Sequence, residues 1–224
     1  MNEVKDTQAT SSQKMLFTMG GIGIFCALLI VLTYEGTLPR VLRLKAEALE
    51  KAILNVVPGT KQTVAYSLVD GNLVQGDQES ELIYAGYDDA GRLVGIAIQG
   101  EGQGYADKIK VLYGYSPEKQ TVIGFQVLET KETPGLGDKI AKDENFLNNF
   151  QALDVSLNSD QSGLANEVVT VKFGNKKNPW EVDGITGATI SSRAVGSIID
   201  ESASRWAPII QGQLEQLQNQ ASNE

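Results

Sequence analysis

The feature that most limits what this chain can fold into is an uninterrupted apolar run near its start. Residues 16–34 read LFTMGGIGIFCALLIVLTY and contain no charged side chain. As a helix this run would extend roughly 28 Å, close to the hydrocarbon thickness of a bilayer. Tyr34 stands where an interfacial aromatic side chain is expected. The sequence therefore predicts one transmembrane anchor over residues 16–34, after a short N-terminal segment of residues 1–15.

Other interpretations of the apolar run fit the residues less well. A cleaved signal peptide would be followed by a small-residue A-x-A pattern, and none is present. A lipid anchor on Cys26 is disfavoured because bulky Phe25 precedes it and the cysteine lies in mid-segment. A buried core helix is a minority interpretation for a charge-free run of this length. Lys and Arg counting leaves the orientation open, since both flanks carry basic residues: Lys5, Lys14, Arg40, Arg43 and Lys45.

The composition excludes several kinds of chemistry. The 224 residues contain no His and one Cys. A Ser-His-Asp triad, a His-ligated metal or haem, an internal disulfide and a cysteine-held iron–sulfur cluster are therefore excluded. If the protein moves electrons, it needs an organic cofactor or a partner's metal. The net charge of −9 argues against nucleic acid as a ligand.

The first part of the soluble region is predicted to be a helix followed by strands. Pro39 opens a helix that runs to about Val57 and is ended by Pro58-Gly59. Alternating apolar residues then predict strands, joined by turns at Asp88–Gly91 and Ser116–Lys119. The predicted strands are Thr63–Val69, Glu81–Tyr87, Arg92–Gln99, Lys108–Tyr115 and Thr121–Thr130.

The later part alternates helices with a strand. Helices are predicted over Asp138–Leu153 and Thr189–Trp206, with a strand at Val168–Phe173. Pro208 falls just past the last helix, and the Gln-rich tail from Gln211 is expected to fray. Together these elements predict the α+β class with a mostly antiparallel sheet. The expected segments are a helical stalk and first strand over 35–80, a ligand-binding domain over 81–207 and a flexible tail over 208–224.

Three glycine-containing segments are candidate sites. Gly100–Tyr105 lacks the spacing of a dinucleotide fingerprint; it is either a plain loop or a place where backbone approaches a flat ligand, with Tyr105 at the rim. The segment ETPGLG at 132–137 can point several backbone N–H groups at one spot beside a helix start. The segment DGITGAT at 183–189 opens the last long helix. There Thr186 or Thr189 would serve as an N-cap, or a Thr hydroxyl would carry a phosphoester.

Taken together, ETPGLG and DGITGAT resemble the FMN-binding domain family that carries flavin on a threonine. The family includes flavin subunits of the Rnf electron-transport complex and of the sodium-translocating NADH:quinone reductase. The resemblance covers roughly residues 80–206, and a single N-terminal span fits it. The continuations after each motif, at Asp138–Ile140 and Thr189–Ala194, look more like the Rnf members.

The resemblance implies a cofactor and a set of binding residues. Thr189 would be esterified to the phosphate of FMN by a separate flavin transferase that uses FAD as donor. The D-x-x-S/T-G-A-T pattern that such a transferase recognises is matched by Asp183, Thr186, Gly187 and Ala188. The ETPGLG turn would lie against the isoalloxazine ring. Candidate ring contacts are Glu132, Thr133, Gly135 and Leu136, with Tyr105 at the rim, and no metal is expected.

The resemblance also implies a place and a partner set. The N-terminus, residues 1–15, would be cytoplasmic, and the soluble domain would lie on the periplasmic or exterior side of the inner membrane. The protein would relay electrons between other membrane subunits and would not be catalytic alone. In the Rnf assembly the overall reaction passes electrons between ferredoxin and NAD, coupled to Na+ or H+ movement. The alternatives are the flavin subunit of the quinone reductase, a tethered structural or sensory module without a working cofactor, and a stand-alone flavoreductase.

Overall fold

The computed structural model describes residues 3–76 and 82–219, with side chains described from Ser12 onward. The chain divides into two compact units, Met1–Ala48 and Leu49–Glu224. The helices are α1 (Glu3–Val56), α2 (Glu144–Asn148), α3 (Thr189–Gly212) and α4 (Leu214–Asn219). The strands are β1 (Gln62–Val69), β2 (Asn72–Gln75), β3 (Leu82–Tyr87), β4 (Leu93–Gln103), β5 (Lys108–Ser116), β6 (Thr121–Glu129), β7 (Leu153–Asp154), β8 (Val169–Val171) and β9 (Glu181–Asp183).

The first unit consists of helix α1 up to Ala48. Within the described residues α1 is the one helix long and apolar enough to cross a membrane, and none of its most apolar stretch is buried. The expectation that a new helix opens at Pro39 is wrong, because α1 continues through that residue. A proline removes one backbone donor and crowds one turn, while the hydrogen bonds on either side remain.

The second unit is built on a seven-stranded antiparallel sheet in the order β2-β1-β3-β4-β5-β6-β7. A separate parallel pair joins β8 and β9. The predicted α+β class with a mostly antiparallel sheet is confirmed. Strand β4 runs on to Gln103, so Gly100 and Gly102 lie in the strand and not in the loop where we expected them. The expected start of β3 at Glu81 lies outside the described residues.

Both faces of this sheet are covered. Along β4, Ile96 and Ile98 point into the core shared with α3, whereas Ala97 points to the opposite face. That opposite face receives the last turns of α1, through Ile53 and Val56. The alternation follows from the two-residue period of a strand. It explains why β4 reads as a continuous apolar run.

Glycine allows α3 to pack directly on β4. A Cβ atom on Gly100 would lie 2.7 Å from the Ile198 side chain, and one on Gly102 would lie 2.5 Å from it. Neither glycine needs an unusual backbone angle. These two positions are therefore glycine for reasons of space, and they hold the helix whose first residues form the candidate site.

The single helix expected over 138–153 is wrong. The structure has a short 3₁₀ turn at Gly137–Ala141, then α2, then another 3₁₀ turn at Asn149–Gln151 and strand β7. Asp143 caps α2, because its Oδ1 accepts a hydrogen bond from the Phe146 amide at 3.0 Å. Phe150 stacks on Phe125 of β6 at 4.3 Å between ring centroids. Capping and aromatic packing therefore divide a segment whose apolar spacing alone predicted one helix.

The C-terminal expectations also need correction. Helix α3 continues through Pro208 to Gly212, and α4 follows it to Asn219. The tail from Gln211 is therefore helical as far as the structure describes it. Gln213 Oε1 accepts a hydrogen bond from Leu73 N at 2.8 Å, and Tyr87 Oη donates to Leu217 O at 2.8 Å. These contacts stabilise a polar sequence that would fray in isolation.

Candidate functional site

One cavity of about 330 Å³ brings together the glycine-containing segments that the sequence picked out. Its walls come from the loop after β4, the turn after β6 and the first turn of α3. Its lining residues are Tyr105, Glu132, Thr133, Leu136, Gly137, Gly187, Ala188, Thr189, Ile190 and Ser191. All but Gly137, Ile190 and Ser191 were candidate site residues in the sequence. Residues more than eighty positions apart in the chain thus face one space.

The start of α3 has open backbone donors. Ala188 occupies the N-cap position and makes no side-chain capping bond, so the expectation that Thr186 or Thr189 caps the helix is wrong. Gly187, just before it, has φ +85°, a backbone angle that favours glycine. Thr189 is the first residue of the helix and its side chain is exposed. Amide groups in the first turn of a helix lack intrahelical acceptors and favour an anion.

The turn that precedes α3 is held by Ser192. The Ile185 amide donates to Ser192 Oγ at 3.1 Å, and Ser192 Oγ donates to the Ala188 carbonyl at 2.9 Å. Ser192 is fully buried. The backbone that presents Thr189 is therefore fixed from behind by one serine of the same helix.

The turn after β6 is fixed by a local ion pair. The Gly135 amide donates to Asp138 Oδ1 at 2.7 Å, and Lys142 Nζ donates to Asp138 Oδ2 at 2.7 Å. The hydrogen bond from Lys142 is the main reason that the pKa of Asp138 lies below its usual value. Gly135 itself has φ +77° and is not part of the cavity lining. Its contact with a flavin ring stays a prediction, whereas Leu136 next to it does line the cavity.

Glu132 connects the walls of the cavity. Its Oε1 accepts a hydrogen bond from the Ala106 amide at 2.9 Å, and its Oε2 accepts one from Ser191 Oγ at 2.5 Å. It is 5% exposed, and it is the only buried acidic or basic side chain in the described part of the chain. Sequence reasoning missed Ser191. The available signal was weak: a serine stands two positions after Thr189, and side chains two positions apart on a helix point in different directions.

The rim of the cavity is apolar. Tyr105, Leu136 and Ile190 are 67%, 52% and 54% exposed. Clustered exposed apolar side chains of this kind are typical of a surface that binds a ligand or partner. No Lys or Arg stands among the lining residues that the structure describes. The arrangement can accommodate a flat aromatic group against the rim and an anionic group at the start of α3, without a cationic clamp.

Asp183 and Thr186 lie apart from the cavity that contains Thr189. They line a second cavity of about 180 Å³. The Asp183 carboxylate accepts hydrogen bonds from the amides of Gly174 and Asn175 at 2.9 and 3.3 Å. Its backbone N–H and C=O both bond to the side chain of Asn149, at 3.0 and 3.1 Å. The two ends of the DGITGAT segment therefore have different surroundings. Its first residue, Asp183, is held by hydrogen bonds to neighbouring loops, and its last three residues line the Thr189 cavity.

A larger cavity does not coincide with these motifs. It measures about 660 Å³ and lies between α3 and β4. Its side chains carry both charges, and Glu101 pairs with Lys108 at 2.9 Å. Since it lacks the convergent N–H groups of a helix start, we favour the smaller cavity as the functional site. Nowhere among the described residues do three or more His, Cys, Asp or Glu side chains group as metal ligands.

Comparisons with known proteins match the part of the chain that contains this cavity. A family model described as the FMN-binding domain matches residues 104–204, a range that contains every lining residue of the Thr189 cavity. The G subunit of the ion-translocating oxidoreductase complex of Methanosarcina acetivorans is 34% identical over 183 residues, covering 81% of this chain and 87% of that protein. The G subunit of the Na(+)-translocating ferredoxin:NAD(+) oxidoreductase complex of Acetobacterium woodii is 33% identical over 113 residues, covering 50% of this chain and 49% of that protein.

A solved structure shares the fold. The crystal structure of the C subunit of Na(+)-translocating NADH-quinone reductase from Parabacteroides distasonis superposes with a TM-score of 0.57 and 22% identity. The match covers 81% of this chain and 98% of that one. At this identity the likeness concerns the fold alone.

Proposed function

This chain belongs to the G-subunit family of ion-translocating oxidoreductase complexes, and from that membership we propose that it relays electrons through FMN within such a complex. The observation that supports the proposal is the Thr189 cavity itself, whose open helix start and apolar rim lie within the residues that the FMN-binding family model matches. The protein takes part in the complex's oxidoreductase reaction and does not catalyse it alone. FMN supplies the capacity to accept and donate one or two electrons.

The residues of the Thr189 cavity suit FMN. Its volume falls within the range of cavities that hold small-molecule cofactors. The uncapped start of α3 would hold the phosphate through backbone N–H groups. The ring would lie against the apolar rim, where Tyr105 and Leu136 are exposed, with Glu132 and Thr133 behind them.

We propose further that the attachment is covalent, through a phosphoester to Thr189. Its hydroxyl is exposed at the helix start, beside small Gly187 and Ala188. Without a lysine or arginine in the described lining, the phosphate has no ion pair to retain it, and a covalent bond would do so. In this step the bond from Thr189 Oγ to phosphorus forms, the pyrophosphate bond of FAD breaks, and AMP leaves with the hydroxyl proton.

A flavin transferase would carry out this attachment. Asp183 and Thr186 complete its D-x-x-S/T-G-A-T pattern. They face a cavity separate from the one at Thr189, which leaves them accessible from a side that the flavin does not occupy. We therefore assign them to presentation of the segment and not to contacts with the ring.

The chain is a membrane protein in this proposal. Helix α1 anchors it by one span in the inner membrane, and the other membrane subunits of the complex are its partners. The soluble domain lies on the periplasmic or exterior side. A compartment with little free FMN is a physical reason to hold the cofactor by a bond that does not dissociate.

In-gel fluorescence tests the attachment. The full chain is produced with a flavin transferase, denatured, and viewed under ultraviolet light beside Thr189→Ala and Thr133→Ala. Thr133 is the matched control, because it is another exposed threonine of the same cavity but does not lie at a helix start. We expect a fluorescent band in the wild type and in Thr133→Ala, and none in Thr189→Ala. No band in the wild type, with a known covalent flavoprotein fluorescing in the next lane, would overturn the proposal.

A further inference from the structure

We propose that Ser191 and Glu132 form a clasp that joins three walls of the flavin cavity, and that Ser191 is a positioning residue for the flavin. The flavin's part rests on the proposed function, whereas the clasp itself can be tested without cofactor. Ser191 lies outside both sequence motifs. The clasp comprises Ser191 Oγ, the Glu132 carboxylate and the Ala106 amide.

Each member of the clasp belongs to a different wall. Ala106 follows Tyr105 in the loop after β4, Glu132 opens the turn after β6, and Ser191 lies in the first turn of α3. The carboxylate bridges them, with one oxygen on the Ala106 amide at 2.9 Å and the other on Ser191 Oγ at 2.5 Å. A shift of any wall must therefore break one of these two hydrogen bonds or move the other two walls.

The surrounding backbone is shaped to the carboxylate. A Cβ atom on Gly104 would lie 2.5 Å from Glu132 Oε1, and one on Gly137 would overlap Oε2 and come within 2.9 Å of Ser191 Oγ. Neither glycine has a positive φ angle. At Gly137 the space is taken by Glu132 and Ser191, and at Gly104 it is shared by the carboxylate and the Ile109 side chain, so the backbone closes around the carboxylate from both sides.

Burying the polar groups of the clasp costs free energy, so a gain in stability does not explain why these groups are polar. A buried carboxylate loses hydration, and Glu132 has no Lys or Arg ion pair among the described residues. An apolar pair of similar volume would cost less to bury. What a hydrogen-bonded carboxylate provides is direction, since its two acceptor oxygens fix both partners in distance and angle. We therefore assign the clasp to cavity geometry.

Positioning follows from the place of Ser191 on α3. It lies two residues after Thr189, the proposed attachment point, and its side chain is buried while that of Thr189 is exposed. The clasp thus holds the helix turn that would carry the phosphate against the two walls that would contact the ring. Without it, a covalently attached flavin would remain on the chain but move more freely.

The experiment compares four variants of the full chain in detergent. Ser191→Ala and Glu132→Ala remove the clasp. Glu132→Gln is the conservative variant, since its amide can accept from Ala106 and donate to Ser191. Ser202→Ala is the matched control, because Ser202 is on the same helix and bonds to Tyr113 Oη at 2.9 Å away from the flavin cavity.

Two measurements are made on each variant. In protein prepared without transferase, we expect amide hydrogen exchange at Ala106 to rise at least about tenfold in both clasp-breaking variants, and not in Glu132→Gln or Ser202→Ala. In protein prepared with transferase, we expect flavin to stay attached in Ser191→Ala and its fluorescence anisotropy to decay at least about twofold faster.

The results separate this inference from the proposed function. Exchange at Ala106 that matches the Ser202→Ala control would overturn the clasp, whatever happens to the flavin. Raised exchange with an unchanged anisotropy decay would overturn the positioning role of Ser191. A wild-type chain that takes up no flavin would contradict the proposed function, while the exchange data would still decide on the clasp.

Discussion

Gly114→Ala is expected to weaken the second unit severely. Gly114 and Gly124 face each other in the β5–β6 register, and both lie against the carbonyl oxygen of Val56 at the end of α1. A Cβ atom on Gly114 would fall on that oxygen, well inside van der Waals contact. The clash is with backbone, so no side-chain rotation relieves it. The last turn of α1 must therefore move away from the sheet.

The magnitude follows from what that turn buries. Val56 and Val57 are 1% and 0% exposed, and fully exposing an aliphatic side chain of this size costs about 1.5–3 kcal/mol. Partial accommodation by the sheet would still cost about 1–3 kcal/mol. We expect a loss of about 3 kcal/mol, the value at which these two ranges meet. For a unit of this size that corresponds to a fall in Tm of roughly 6–12 °C.

Tryptophan fluorescence of the full chain in detergent measures this loss. The chain has two tryptophans, Trp180 and Trp206, and both lie in the second unit, so their emission reports its unfolding and not that of the anchor. Gly163→Ala is the matched control, because a Cβ atom there meets open space, and its effect should stay within about 0.5 kcal/mol. A Gly114→Ala variant within about 1 kcal/mol of the wild type would refute the packing of α1 on the sheet.

Three further predictions concern buried tyrosines and topology. Tyr113→Phe should lower the free energy of unfolding, measured by chemical denaturation, by about 1 kcal/mol because Ser202 loses its hydrogen-bond partner. Tyr115→Phe should be neutral or stabilising by about 1 kcal/mol, since the Tyr115 hydroxyl is buried without a hydrogen bond. Burial raises the pKa of Tyr115 to about 12. The folded state therefore binds the hydroxyl proton of Tyr115 more tightly than the unfolded state does. The stability of the folded state should be constant below about pH 10 and fall between about pH 10 and 12. A Tm that stays flat across that window would contradict the burial of Tyr115. In intact cells a membrane-impermeant maleimide should label the Lys177→Cys variant, whose new thiol lies at an exposed position, and should not label the native Cys26. Labelling of Lys177→Cys only after lysis would contradict the proposed exterior location of the soluble domain.

Periodicity and motif spacing were sufficient for the fold class and for most strands. Two-residue alternation predicted β1, β3, β5 and β6 within a few residues, because each of these strands places alternate apolar residues in the main core cluster. The same reasoning failed at 138–153. There the Asp143 cap and the stacking of Phe150 on Phe125 depend on tertiary contacts that apolar spacing does not encode.

The C-terminal region shows a second kind of failure. Glutamine-rich sequence and Pro208 predicted an end to the helix, yet buried Ala207 and Ile210 keep α3 in the core. The side-chain carbonyl of Gln213 then accepts the hydrogen bond from Leu73 N of the edge strand β2, as a neighbouring strand would do. Local propensity is weak compared with burial of this kind, so tertiary packing decides where the helix ends.

The candidate site was only partly predictable. Glycine, proline and threonine patterns indicated both motifs, because turns and helix starts demand those residue types. What the pattern could not show is that Asp183 and Thr189 face different cavities. It also could not show that Glu132 reaches Ser191 across the fold, since that bond joins residues 59 positions apart.

Peptide mass spectrometry of the flavin-loaded full chain tests the central claim most directly. Trypsin should release residues 178–193, which contain both Thr186 and Thr189. We expect this peptide to gain the mass of FMN less one water, with fragment ions that place the phosphoester on Thr189. An unmodified peptide from transferase-treated protein, or a phosphoester on Thr186, would contradict it.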